Sequence, residues 1–126
     1  MSEAELDLEA RVASEGDSVE VVRSFPRAVR QELGFDIRRL QQGRIPHDSR
    51  PMKSIGQGVF ELRQRDSKGW YRLIYLRKVG DTFYMLHAFT KKSAKTSRND
   101  LTIASNRLKI VRGRIAEDRK NARKKN

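Results

Sequence analysis

At 126 residues and 37% hydrophobic content, the chain has material for one compact core and not for several. Its formal net charge of +12 favours a polyanionic partner, nucleic acid first, because a basic surface gains affinity from counterion release and long-range steering. With no cysteine, disulfides and thiolate zinc sites are excluded, and the histidines at 47 and 87 lack metal-ligand spacing.

No run approaches the ~18 to 20 apolar residues of a spanning helix, and no basic-then-apolar leader pattern opens the sequence. A cytoplasmic protein without metal or small-molecule cofactor is expected. Leu6, Leu8, Ala10 and Val12 alternate with Glu5, Asp7, Glu9 and Arg11, the period of an edge strand with one wet face, a helix being the alternative for so short and acidic a run. Gly16-Asp17-Ser18 offers an N-cap to a helix carrying Val19, Val22 and Phe25. Pro26 resets the chain into a second helix with Val29, Leu33, Ile37 and Leu40 on one face, which predicts a helical hairpin. Gly43 fits a helix stop, and Pro46, Pro51, Gly56 and Gly58 punctuate a loop.

From Val59 the period falls to two, with Phe60 and Leu62 facing one way and Glu61, Arg63 and Arg65 the other. Asp66-Ser67-Lys68-Gly69 turns the chain into a strand from Trp70 to about Arg77, and Gly80-Asp81 into another over Thr82 to Phe89, so a three-stranded meander is predicted. Ser97, with Asp100 three residues on, caps a last helix whose apolar stripe is Leu101, Ala104, Leu108, Val111 and Ile115. The order β-α-α-β-β-β-α defines an α+β class, a mostly antiparallel twisted sheet packed against helices. One domain over residues 1–112 is expected, followed by a basic helix extension or tail over 113–126. The ends differ in charge: seven acids against Arg11 in residues 1–20, and nine basic groups against Glu117 and Asp118 in residues 107–126. The basic end reads equally as a solvated helix end or as an arm that contacts RNA or a partner.

The segments Phe25-Pro26, Gly58-Val59-Phe60-Glu61-Leu62-Arg63, Tyr71-Arg72-Leu73-Ile74-Tyr75 and His87-Ala88-Phe89-Thr90-Lys91-Lys92, followed by Lys95-Thr96-Ser97-Arg98-Asn99-Asp100-Leu101, resemble the RelE/ParE toxin superfamily. The nearest likeness is to its HigB-like, phage-derived branch, over roughly residues 18 to 112. That resemblance implies a RelE-like small domain acting as the toxin of a type II toxin-antitoxin module. Its RelE and HigB branches cut mRNA on the ribosome, its ParE members poison DNA gyrase, and a helix-turn-helix antitoxin is the implied partner. Thr96-Ser97 departs from the threonine-proline of the pattern, and neither the acidic first strand nor the basic end is covered by it.

The residues support nuclease chemistry in their own right. Attack by a ribose 2′-hydroxyl needs a base, an acid for the leaving 5′-oxygen, and cations for the charge on the phosphorane. Arg72 is the first choice for a bidentate phosphate clamp, with pairing to Glu61 as its alternative. Arg63 is a possible second clamp, with Arg65 on the same face, both equally readable as solvated charges. Lys91 and Lys92 close the third strand and favour phosphate contact over proton transfer. His87 is the candidate proton shuttle and Phe89 a candidate base-stacking ring, against the alternatives of a satisfied strand histidine and a core aromatic. Lys95 completes the RNA-binding set, while Tyr71 and Tyr75 share the opposite strand face and His47 has no role. The competing functions are a non-nuclease toxin of the gyrase-poison kind, and a non-toxic basic protein that binds the ribosome or nucleic acid.

Overall fold

A computed structural model describes residues 10–46, 48–91 and 96–124, apart from the side chain of Lys78. Strand β1 (Arg11–Ser14) is followed by helices α1 (Ser18–Ser24) and α2 (Arg27–Gln41), then β2 (Ser49–Pro51), β3 (Val59–Asp66), β4 (Gly69–Val79), β5 (Thr82–Lys91) and α3 (Arg98–Lys124). The strands form one five-stranded sheet in the order β1-β5-β4-β3-β2. β1 runs parallel to β5, and every other pairing is antiparallel, so the sheet is mixed and the class is α+β.

Among the described residues an edge strand spans Arg11–Ser14 and overlaps the expected run at Arg11 and Val12. Its position follows from pairing with β5, which aligns Arg11 with Thr82 and Ser14 with Met85. Ala10 is buried and its N–H donates to the Gln41 carbonyl at 3.0 Å, which ties the entry of β1 to the end of α2. Leu6 and Leu8 lie outside the described residues.

The helical pair forms as predicted, but its cap is built differently. Ser18 is the first residue of α1 and its hydroxyl donates to the Glu15 carbonyl, while the Ser14 hydroxyl accepts the Val19 N–H at 3.0 Å. Asp17, at the cap position, makes no cap bond and instead accepts from Arg107. Pro26 has φ −54° and ψ 147°, an extended backbone that separates α1 from α2. Gly43, just past α2, has φ +73°, a conformation that favours glycine at a helix stop.

The predicted loop over 43–58 contains β2, a short edge strand paired with β3. Pro51 is compatible with that position because an edge strand leaves one row of backbone groups without ladder partners. β3, β4 and β5 form the predicted meander, and Asp66 Oδ1 accepts the N–H groups of Lys68 and Gly69 at 2.8 and 3.1 Å in the first turn.

Both faces of the sheet are covered. Phe25, just past α1, and Val29 and Leu33 of α2 pack on Leu62, Tyr71, Leu73, Tyr75 and Phe83. Ala104, Leu108 and Val111 from α3 pack on Val59, Ile74, Leu76, Leu86 and Phe89 on the other face. Helix α3 is 27 residues long and so extends about 40 Å at 1.5 Å per residue. Its buried stripe ends at Val111, and the basic segment beyond it continues as helix to Lys124. Among the described residues no helix is long and apolar enough to cross a membrane.

Candidate active site

The register of the meander decides which charged side chains meet. Alternation sends Glu61, Arg63 and Arg65 of β3, and Trp70, Arg72 and Ile74 of β4, to the face that α3 covers. On β5 the pairing shifts: Ile74 aligns with His87, yet Tyr75 aligns with Met85, so Leu86 is an extra residue in a bulge. The bulge lets Leu86 and His87 both serve the α3 side, and it brings three rows into line: Glu61-Ile74-His87, Arg63-Arg72-Phe89 and Arg65-Trp70-Lys91.

Arg72 is 2% exposed and its Nη1 donates to Glu61 Oε1 at 2.6 Å. Thr96, at the entry to α3, braces the pair: its hydroxyl donates to Glu61 Oε2 at 3.0 Å and accepts from Arg72 Nη1 at 3.1 Å. Two ions withdrawn from water lose several kcal/mol of solvation each, and only mutual contact with further hydrogen bonds offsets that loss. Arg63, Arg65 and Arg72 each hold the guanidinium carbon 5.1–5.6 Å from the centre of the Trp70 ring. A ring face attracts cations, so Trp70 gathers three like charges that would otherwise repel. Arg63 also meets Asp48 at 3.3 Å, whereas Arg65 is exposed.

The second group forms where β5 ends and α3 begins. Asp100 Oδ1 lies 2.8 Å from His87 Nε2, and Oδ2 lies 3.2 Å from Lys91 Nζ. The predicted cap is present: the Ser97 hydroxyl accepts the Asp100 N–H at 3.1 Å and donates to Oδ2 at 2.5 Å. Burial raises the Asp100 carboxyl, but the hydrogen bonds from Ser97, His87 and Lys91 outweigh it, and the pKa lies below its ordinary 3.8. Arg107 Nη1 stands 3.4 Å from His87 Nδ1 and donates to the Leu86 carbonyl at 3.0 Å. A guanidinium has no acceptor, so in this geometry Nδ1 presents its lone pair to Arg107 and Nε2–H donates to Asp100. The ring of His87 also stacks on Phe89, with centroids 5.0 Å apart.

Thus Arg63, Arg65, Arg72, His87, Phe89 and Lys91 share one face, and Lys92 and Lys95 lie outside the described residues. Within the shared face accessibility differs sharply. Arg65 is exposed and Lys91 partly so, whereas Arg72, His87 and Phe89 are buried. Arg72 takes its alternative partner, Glu61, and Phe89 presses on His87. Asp100 and Arg107 are partners of His87 that sequence reasoning missed. Asp100 is visible in the sequence only as a cap residue, and Arg107 is separated from His87 by 20 positions.

These features describe a basic, three-layered α+β domain with a cationic sheet face ordered by a buried ion pair and a His-Asp-Lys cluster. The chain belongs to the family described as Phage derived protein Gp49-like (DUF891), whose model matches residues 20–109, and that family is one of toxin-antitoxin toxins. The match runs from α1 into the middle of α3 and leaves β1 and the basic end of α3 outside. Searches of curated proteins and of solved structures return no match.

Proposed function

We propose that the protein is the toxin of a type II toxin-antitoxin module, of the RelE/HigB kind, and that it cleaves mRNA on the ribosome by attack of a ribose 2′-hydroxyl. The observation that carries this reading is the convergence on one sheet face of exposed or half-exposed cations with a linked His87–Asp100–Lys91 cluster.

In this reading Arg65 and Lys91 contact the phosphates, because these are the cations of the face that solvent reaches, and Arg63, whose side chain is 10% exposed and paired with Asp48, backs them. The charge of Lys91 is offset by Asp100 at 3.2 Å until a phosphate competes for it. His87 supplies proton transfer through the tautomer that Arg107 and Asp100 define, and Lys92 and Lys95 extend the cationic set along the chain. Arg72 is a positioning residue: its pair with Glu61 holds β3 and β4 in the register that aligns Arg65, Trp70 and Lys91. The antitoxin is the expected protein partner, and an acidic surface on it would complement the face.

One observation favours a second reading. Arg72 and His87 are buried and already partnered, so a toxin that acts by binding alone, as a gyrase poison does, would use the same exposed cations without any proton transfer.

The test is controlled expression in a bacterial host of the wild type and Lys91→Ala. The nuclease reading predicts growth arrest with a fall in methionine incorporation, and both effects are weakened by the substitution. Arrest with unchanged protein synthesis and rising DNA damage would transfer the function to the second reading.

A further inference from the structure

The turn between β1 and α1 reaches across to α3 and grips the helix at two points. Asp17 Oδ1 accepts from Arg107 Nη2 at 2.9 Å, and Glu15 forms an ion pair with Arg114. The two arginines stand two turns apart on one helix face, about 10.5 Å along the axis. Of the two, Arg107 is the one that touches the His87 cluster.

Three features aim the Arg107 guanidinium at His87. Leu86, the extra residue of the β5 bulge, offers it a carbonyl at 3.0 Å. Gly16, at φ +55°, packs a bare Cα against it, where a Cβ would stand 2.5 Å from the guanidinium carbon. Asp17 supplies the third hold and balances the charge that Arg107 brings beside the imidazole. A carboxylate at an N-cap ordinarily accepts a backbone N–H of the first helical turn. Asp17 stands at the N-cap of α1, makes no such bond, and serves Arg107 instead. Held in this way, Arg107 Nη1 stands 3.4 Å from His87 Nδ1, which stays without a proton and leaves Nε2–H for Asp100 at 2.8 Å. Contacts therefore run without a break from Asp17 through Arg107, His87 and Asp100 to Lys91. Gly16 and Asp17 precede the segment that the family model matches, whereas Arg107 and His87 lie inside it.

We infer that Asp17 is a positioning residue for His87: acting through Arg107 from outside the site, it fixes which ring nitrogen carries the proton and how the ring is turned. The inference rests on the reading that His87 moves a proton during cleavage, and it extends the machinery of that site to the turn between β1 and α1. The side chain of Asp17 is 55% exposed, so its replacement perturbs the held arginine rather than the core.

The test compares Asp17→Ala with Glu15→Ala, which releases the other grip of the same turn. Both are made in a His47→Gln background, so that His87 is the single histidine. The ¹⁵N shifts of its ring, recorded at about pH 8, above the ordinary imidazole range, read the tautomer. Single-turnover cleavage on ribosomes reads the rate. Asp17→Ala is expected to draw the two ring-nitrogen shifts toward each other, as a mixture of tautomers does, and Asp17→Lys, which sets a second cation beside Arg107, to draw them further. Asp17→Lys is also expected to slow cleavage about tenfold or more, since misplacing a reacting group by an ångström can cost about a hundredfold. Asp17→Glu, which keeps the charge, is expected to hold the wild-type shifts, and Glu15→Ala to hold both the shifts and the rate. Equal changes in Asp17→Ala and Glu15→Ala would overturn the proposal, because they reduce both residues to docking the turn. Unchanged shifts in folded Asp17→Ala and Asp17→Lys would overturn it as well. Absence of cleavage by the wild type beside the expected shift changes refutes the nuclease reading alone, and cleavage without shift changes refutes the role of Asp17 alone.

Discussion

Replacing Glu61 with leucine leaves the guanidinium of Arg72 buried at 2% exposure without its carboxylate, with Thr96 as the hydrogen-bonding neighbour that the pair shared. Removing one member of a buried pair costs about 3–5 kcal/mol, because the remaining charge keeps its desolvation penalty and loses the attraction that offset it. A domain of this size has about 5–15 kcal/mol of stability in total, so the variant should lose about a fifth of it or more. At about 4 °C per kcal/mol the melting temperature should fall by about 12–20 °C. Replacing both partners, Glu61→Leu with Arg72→Met, should recover most of the loss, since an apolar pair of similar volume removes the penalty along with the attraction. The assay is urea unfolding followed by circular dichroism and by the fluorescence of Trp70, the single tryptophan, which sits within 5.6 Å of the Arg72 guanidinium. A loss below about 1 kcal/mol for Glu61→Leu, or a double variant that costs the sum of the two single ones, would refute the account of the pair as the buried support of this sheet face.

Lys91→Ala removes a partly exposed cation and should change stability by less than about 1 kcal/mol while cutting cleavage by a factor of about 100 or more, read by single-turnover kinetics. Asp100 has a folded-state pKa below its unfolded value, so its contribution to stability is present above pH 3.8 and is lost as pH falls through the folded pKa. Asp100→Asn should therefore flatten the acid limb of a stability-against-pH curve, and an unchanged limb would remove Asp100 from that role. Gly16 has φ +55°, and a Cβ there would stand 2.5 Å from the Arg107 guanidinium. Gly16→Ala should cost about 1–2 kcal/mol and displace Arg107, and the ¹⁵N shifts of His87 should then report loss of the single tautomer.

The parts of this fold that local patterns encode were legible in the sequence. The meander follows from the alternation around Phe60 and Leu62, the helix stop from Gly43, and the cap of α3 from Ser97 with Asp100. Long-range pairing was not legible in the same way. β1 is positioned by β5, some 70 residues away, a pairing that the acidic alternation does not encode. β2 is short and contains Pro51, and it is a strand only because β3 offers it an edge. The bulge at Leu86 adds one residue to β5 without a sequence signal, yet it decides that His87 looks toward α3.

The same distinction holds for the site. Strand parity placed Arg63 with Arg65 on β3 and Phe89 with His87 on β5, and it is the pairing register that brings Arg72 and Lys91 onto the same face. Parity could not say which of them solvent reaches, because that depends on Glu61, Thr96 and the first turn of α3. The Asp100 carboxylate illustrates the point: its cap role is local, whereas its bonds to His87 and Lys91 exist only once β5 and α3 are docked.

The central claim is ribosome-dependent cleavage at the face that carries Lys91. Primer extension on a defined mRNA in a reconstituted translation system, with and without ribosomes, tests it most directly. The account predicts cuts by the wild type only when ribosomes are present, and their loss in a folded Lys91→Ala variant. The absence of cuts by folded wild-type protein that still arrests growth, or equal cutting by Lys91→Ala, would contradict it.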